Sequence, residues 1–181
     1  MKIGIIRHAK VNYRNPFFST GELFNKGRID YDSAAVAEAA LKIRQEDFPV
    51  CYVSSKQRAL DTAKAIYPGK IEVTDELVEI PTTALFLLKK NLPSSLRSVI
   101  GRIAWFINYS KMPETRKQSN ERARKFLTTL LKETHQDVLL ITHGFFMQSL
   151  RHELRKLGFK GHCPYLPPNA KLYVFEKEVK K

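Results

Sequence analysis

The residues of this chain best suited to chemistry stand at the ends of short aliphatic runs. Ile3-Gly4-Ile5-Ile6 leads straight into Arg7-His8, Val50-Cys51-Tyr52-Val53 into Ser54, Ser55 and Arg58, and Val138-Leu139-Leu140-Ile141 into Thr142-His143-Gly144. Short runs rich in β-branched residues that stop abruptly at polar ones read as buried strands. In open α/β sheets, ligands collect in the crevice outside the carboxyl ends of the strands. A cation beside an imidazole at such an end suggests a phosphate site with a nucleophile in it. Arg7-His8 alone reads more simply as a strand followed by two solvated polar residues. Three strand ends, each carrying a residue suited to phosphate, are hard to produce by accident. If the strands are neighbours in one parallel sheet, two imidazoles and two guanidiniums converge on one edge.

The elements that must position these residues follow from patterning. Val11 to Ile29 reads as a long loop with scattered aromatics, and loops of that length are often functional. Asp32-Ser33 offers an N-cap for an Ala-rich helix to about Asp47, with Val36, Ala40 and Ile43 on one face. Ser54-Ser55 can cap a helix from about Lys56 to Ile66, which Pro68-Gly69 ends before a third strand at Ile71–Val73. The order β-α-β-α-β argues for a parallel sheet with right-handed crossovers. Thr82 to Gln118 reads as a partly helical insertion covering one side of the site, within a single domain spanning residues 1–181. It holds an apolar segment, Ala84 to Leu88, and a helix at Leu96–Asn108. The stripe of that helix is Val99, Ile100, Ile103, Phe106 and Ile107, with Trp105 as packing. Ser119 caps a helix whose face is Ala123, Phe126, Leu127, Leu130 and Leu131. A helix from Phe145 to Leu157 stops at Gly158, a Pro-rich loop follows, and Lys171 to Lys177 reads as an edge strand.

Composition bounds the rest. The chain has 181 residues, 43% of them hydrophobic and 27% charged, the profile of one globular domain. Its apolar runs are too short to span a bilayer, and the first stops at Arg7, unlike a signal peptide. Cys51 and Cys163 lack metal-ligand spacing, so a reducing, cytoplasmic setting fits. Lys and Arg total 31 against 18 acidic residues, a formal charge of +13, which favours anionic partners without choosing among them.

Four motifs, in order, carry a resemblance across about residues 1 to 157. Arg7-His8-Ala9 resembles the Arg-His-Gly signature of the histidine phosphatase superfamily, the phosphoglycerate-mutase-like enzymes. Ser54-Ser55-Lys56-Gln57-Arg58-Ala59-Leu60-Asp61-Thr62-Ala63 looks like its second-arginine motif. Glu76-Leu77-Val78-Glu79-Ile80 is similar to its acid/base segment, and Ile141-Thr142-His143-Gly144 to its second-histidine motif. With the element order, the resemblance implies an α/β three-layer sandwich, a mostly parallel sheet with helices on both faces. It also implies that His8 is the nucleophile, forming a phosphohistidine. Arg7 and Arg58 would grip the phosphoryl oxygens, with His143 and the Gly144 N–H adding donors. Glu79 is the candidate general acid and base, with Glu76 its competitor. No cofactor or metal is implied, since two arginines in the pocket would repel a dication. The sequence departs from the pattern at Ala9, which replaces the usual Gly, and at Pro81-Thr82-Thr83 after the Glu motif.

The leading expectation is a metal-independent phosphatase of small phosphate monoesters. The rival within the fold is a mutase that shields its phosphohistidine from water. From another class comes a non-catalytic basic protein binding phosphate or nucleic acid. Arg116-Lys117, Arg122-Arg124-Lys125 and Arg151-Arg155-Lys156 favour it, although no nucleic-acid motif does. His135, His152 and His162 are expected at the surface. The natural ester and the oligomeric state have no signal in the sequence.

Overall fold

The computed structural model describes residues 1–81 and 90–178. In chain order the elements are β1 (Lys2–Arg7), β2 (Phe18–Ser19), α1 (Gly21–Ser33), β3 (Val50–Ser54), α2 (Gln57–Ile66), β4 (Ile71–Thr74), a short 3-10 turn at Asp75–Leu77, β5 (Leu92–Pro93), α3 (Ser94–Phe106), α4 (Arg116–Glu133), β6 (Val138–Thr142), α5 (Phe146–Lys156), β7 (Lys160–Gly161) and β8 (Leu172–Glu176). The main sheet is six-stranded, in the order β4-β3-β6-β1-β8-β7. β4, β3, β6 and β1 run parallel, while β8 pairs antiparallel with both β1 and β7. The final strand is therefore internal to the sheet, and β7, from the Pro-rich loop, forms the edge instead.

Strand alternation builds the three layers. Ile3, Ile5, Val138, Leu140, Tyr173 and Phe175 point to one face, where Leu127 and Leu130 of α4 and Met147, Leu150 and Leu154 of α5 cover them. Ile6, Cys51, Val53, Leu139 and Ile141 point the other way, under Ala59, Ala63 and Ile66 of α2. Gly4 is required by this packing: a Cβ there would lie 2.9 Å from the Phe48 ring and from Leu172.

The region between β1 and β3 differs from expectation. The segment read as a loop contains α1, and the Ala-rich stretch read as a helix from Ser33 to about Asp47 is irregular, with no helix in it beyond the end of α1 at Ser33. Thr20 is the N-cap of α1, its hydroxyl accepting from the Leu23 N–H at 3.2 Å, the usual way to satisfy a first-turn donor. The buried residues of α1 are Gly21, Phe24 and Gly27, a face too poor in side chains to register as apolar periodicity. Beyond α1, tertiary hydrogen bonds replace helical ones: Ala37 N donates to Lys10 O at 2.7 Å, and Ile43 N to Ile66 O at 2.8 Å. Small alanines let this segment lie flat, burying Ala39, Ile43 and Phe48 against the sheet. Context overrides propensity here.

Smaller corrections concern caps and faces. α2 starts after Lys56 without a side-chain cap, and Ser54 and Ser55 are otherwise engaged. α4 is capped by Thr115, which shares a capping box with Gln118, each satisfying a donor of the other. Ser119 lies inside it, accepting from the Trp105 indole at 2.9 Å. On α3 it is Ser94, Arg97, Gly101, Ala104 and Trp105 that are buried. Val99, Ile103, Phe106 and Ile107 of the predicted stripe face outward. The apolar segment Ala84–Leu88 lies outside the described residues.

Candidate active site

The sheet register brings the histidines together. β1 and β6 are parallel neighbours with Arg7 opposite Thr142, so the next residues, His8 and His143, leave the sheet at one level. The His8 N–H donates to Thr142 O at 2.9 Å, and the two rings lie 5.1 Å apart between centroids. β3 flanks β6 on its other side, and its last residue, Ser54, reaches the His143 Nε2 at 2.8 Å. The first turn of α2 then delivers Arg58, 2% exposed, whose Nε donates to the His8 Nε2 at 3.3 Å.

One hydrogen bond fixes the tautomer of His8. Its Nδ1 lies 2.7 Å from Ala9 O. That oxygen only accepts, so Nδ1 carries the proton and Nε2 keeps its lone pair. The backbone around it is held firmly. Thr62 Oγ1 accepts from the Ala9 N–H at 2.8 Å and donates to Arg58 O at 2.6 Å, tying the ends of β1 and α2 together. Asn169 Nδ2 donates to His8 O at 2.7 Å.

Burial and charge set the protonation of both rings. His8 is 2% exposed, and its pKa is lowered from 6.5 to about 3. Burial is the main cause; the Ala9 carbonyl opposes it, while the Arg58 and Arg7 charges add to it. Both effects disfavour the charged form of the ring. Burial likewise holds His143 well below its ordinary range, assisted by Arg58 and His8. Both imidazoles are therefore neutral at physiological pH.

Arg7 points along the other side of the crevice, its Nη1 donating to Pro167 O at 3.0 Å. Gly144 lies directly against it: a Cβ on Gly144 would be 2.9 Å from Arg7 Nε. Glu79 is fixed at the start of α5, where helix N–H groups lack partners of their own. Its Oε1 accepts from the N–H groups of Phe146 at 2.9 Å and Ile80 at 3.0 Å, and its Oε2 from Phe145 N–H at 3.3 Å. Glu76 instead gives its carbonyl oxygen to Arg122 Nη1, at 2.6 Å. Arg7, Glu79 and Gly144 share the wall of a cavity of about 680 Å³ that opens toward α3 and α5.

Several participants carried no recognisable sequence signal. Asp32, expected near a helix start, ends α1 over the site: its Oδ1 accepts from Arg58 Nη1 at 2.6 Å and its Oδ2 from Lys56 Nζ at 3.0 Å. Burial works to raise this carboxyl, but the Lys56 bond and the Arg58 charge overcome it and hold it below the usual range. Tyr31 packs edge-on to His8 at 6.5 Å, and the Arg58 guanidinium lies 5.2 Å from its ring centre. Thr62 and Asn169 act through backbone atoms, which residue type alone does not reveal. The remaining histidines lie elsewhere: His135 and His162 are at the surface, and His152 is half-buried on α5. Burial pushes the Cys51 thiol up to about 12 and Cys163 to about 11, the behaviour of small core residues. Among the described residues, no set of three or more His, Cys, Asp or Glu is arranged to hold a metal ion. Nor is any helix among them long and apolar enough to cross a membrane.

Paired imidazoles and guanidiniums at the carboxyl ends of parallel strands, between helical layers, define a three-layer α/β protein with a cationic crevice. The chain belongs to the histidine phosphatase superfamily (branch 1), whose sequence profile matches residues 5–180. Solved structures share the fold at low identity. A phosphoserine phosphatase from Entamoeba histolytica, as an H9A mutant in complex with phosphoserine, superposes with a TM-score of 0.58 at 16% identity, covering 96% of this chain and 89% of that one. A functionally characterised open reading frame product of Mycobacterium tuberculosis gives 0.57 at 19%, covering 98% and 91%. A mycobacterial glucosyl-3-phosphoglycerate phosphatase in complex with VO3 gives 0.51 at 18%, covering 86% and 82%. No curated protein matches the chain significantly.

Proposed function

We propose that the protein is a metal-independent phosphatase that hydrolyses small phosphate monoesters through a phosphohistidine on His8. The observation that carries this reading is the neutral His8 Nε2, facing the Arg58 guanidinium with the His143 ring 5.1 Å away. Superfamily membership and the phosphatase names of the fold neighbours support it.

In the first step His8 Nε2 attacks phosphorus and the ester P–O bond breaks. Its electron pair stays on the departing oxygen, which takes a proton from Glu79 acting as a carboxylic acid. In the second step a water oxygen attacks the phosphohistidine, its proton passes to the Glu79 carboxylate, and the P–N bond breaks. The lone pair returns to Nε2. The net change is ester plus water to alcohol plus inorganic phosphate. Arg7, Arg58, His143 and the Gly144 N–H hold the phosphoryl oxygens, supplying the positive potential that a metal provides in other phosphatases. Arg58 Nη1 must exchange Asp32 for a phosphoryl oxygen as substrate enters.

The test is turnover of a chromogenic phosphate ester in the presence of a chelator, comparing wild type with His8→Ala. Chelator-resistant turnover that falls by about a thousandfold or more in the variant is expected. An inactive wild type across a broad ester panel, or an active variant, overturns the reading.

A further inference from the structure

The cavity that opens from Arg7, Glu79 and Gly144 is far larger than one phosphoryl group, at about 680 Å³. Its outer wall is cationic: Arg102 of α3, Arg116 of α4 and Arg151, Arg155 and Lys156 of α5 line it, and among the described residues Glu79 is its one carboxylate. How these arginines are held distinguishes them from others in the molecule. Arg44, Arg58 and Arg122 are each paired with a carboxylate. Among the described residues, Arg102, Arg116, Arg151 and Arg155 have no such ion pair.

Three of them are laid over aromatic rings instead. The Arg102 guanidinium lies 3.5 Å from the Phe145 ring centre, Arg116 lies 4.6 Å from Phe106, and Arg151 lies 4.1 Å from Tyr165. Stacking orients a guanidinium without neutralising it, and it leaves in-plane N–H donors able to meet an anion. Arg151 directs one of those donors to Cys163 O, at 2.8 Å, which steadies the group further. Gathering like charges around one cavity is unfavourable until an anion joins them. Ile103 and Phe106, outward-facing on α3, complete an apolar flank beside the cations.

We infer that this cavity is a second anion subsite, so that the substrate is a phosphate monoester whose leaving group carries another anionic group on a partly apolar frame. The inference rests on the phosphatase reading above for the position of the scissile phosphoryl group. The second group is a carboxylate or a phosphate-like oxyanion, since a stacked guanidinium recognises both by the same fork of donors.

The test compares phenyl phosphate with 4-carboxyphenyl phosphate and 4-(phosphonomethyl)phenyl phosphate as substrates of the wild-type protein and of the double variant Arg116→Gln, Arg151→Gln. The wild type is expected to favour at least one anionic ester by about tenfold or more in kcat/KM. Whichever is favoured identifies the anion, and the preference shrinks toward one in the variant. Equal kcat/KM for all three esters in the wild type overturns the proposal, as does a preference that the double variant keeps. The wild-type comparison stands even if the variant, which gives up the Cys163 contact, folds poorly. If the wild type turns over none of the esters, the phosphatase reading fails on its own. Calorimetric binding of phenylphosphonate and 4-carboxyphenylphosphonate then decides the subsite: a preference of about tenfold for the latter supports it, and equal or absent binding overturns it.

Discussion

His8 and His143 bear on stability as well as on chemistry, because both are neutral and buried in the folded protein. In the unfolded chain a histidine titrates near 6.5. Folded His8 refuses a proton until the pH reaches about 3. Folding stability is therefore full above about pH 6.5 and falls as the pH drops further, because the unfolded chain takes up protons that the folded one does not. The slope is up to about 1.4 kcal/mol per pH unit for each ring. Denaturant titrations between about pH 7 and about pH 5 should show wild type losing more stability than His8→Asn, by roughly that slope. Parallel losses in the two proteins would contradict the burial argument. The histidines themselves were legible as strand-end residues, since short aliphatic runs and their polar stops are local features. Asn169 was not: it serves His8 through a backbone oxygen far away in sequence, and nothing in a Pro-rich loop announces that.

At the level of elements, α1 is the piece that local patterning missed and the one whose last turn lies over His8 and Arg58. It ends by placing Tyr31 beside His8 and Asp32 on Arg58, so a carboxylate occupies a donor that a phosphoryl oxygen would use. Asp32→Asn should act in two opposite directions. Asp32 is one-third exposed while Arg58 is buried, so solvent screens only part of the pair. After that discount the fold loses about 1 kcal/mol. Affinity for vanadate or inorganic phosphate rises, because Arg58 no longer has a competing anion. Equilibrium unfolding and anion titration measure the two effects separately, and weaker anion binding in Asp32→Asn would contradict the competition. The strands β1, β3, β6 and β8 and the helices α2, α4 and α5 could be read because their apolar residues match their buried faces, whereas the two-residue strands β2, β5 and β7 are too short to show a period. α1 could not, since two of its three buried residues are glycines. For α3 the period was visible but its direction was not: the helix buries Ser94, Arg97, Gly101, Ala104 and Trp105, leaving much of its apolar stripe outward.

Across the whole molecule, 31 basic residues against 18 acidic ones leave a strongly positive surface, and part of that excess surrounds the cavity beside the site. Such a field draws in anionic esters and is screened by salt. Raising KCl from about 0.02 to about 0.3 M should lower kcat/KM for a phosphate ester several-fold, and an unchanged value would separate the charge from substrate capture. The sheet lets three parallel strands end level with one another, so that His8, Ser54 and His143, far apart in sequence, meet at one edge. The central claim is that a phosphoryl group is transferred to His8 Nε2. The direct measurement is to quench the working enzyme in base, which preserves phosphohistidine, and to map the phosphoryl adduct by mass spectrometry. The account predicts an acid-labile adduct on the peptide containing His8, absent from His8→Ala. Steady turnover with no adduct, or with the adduct on another residue, would contradict it.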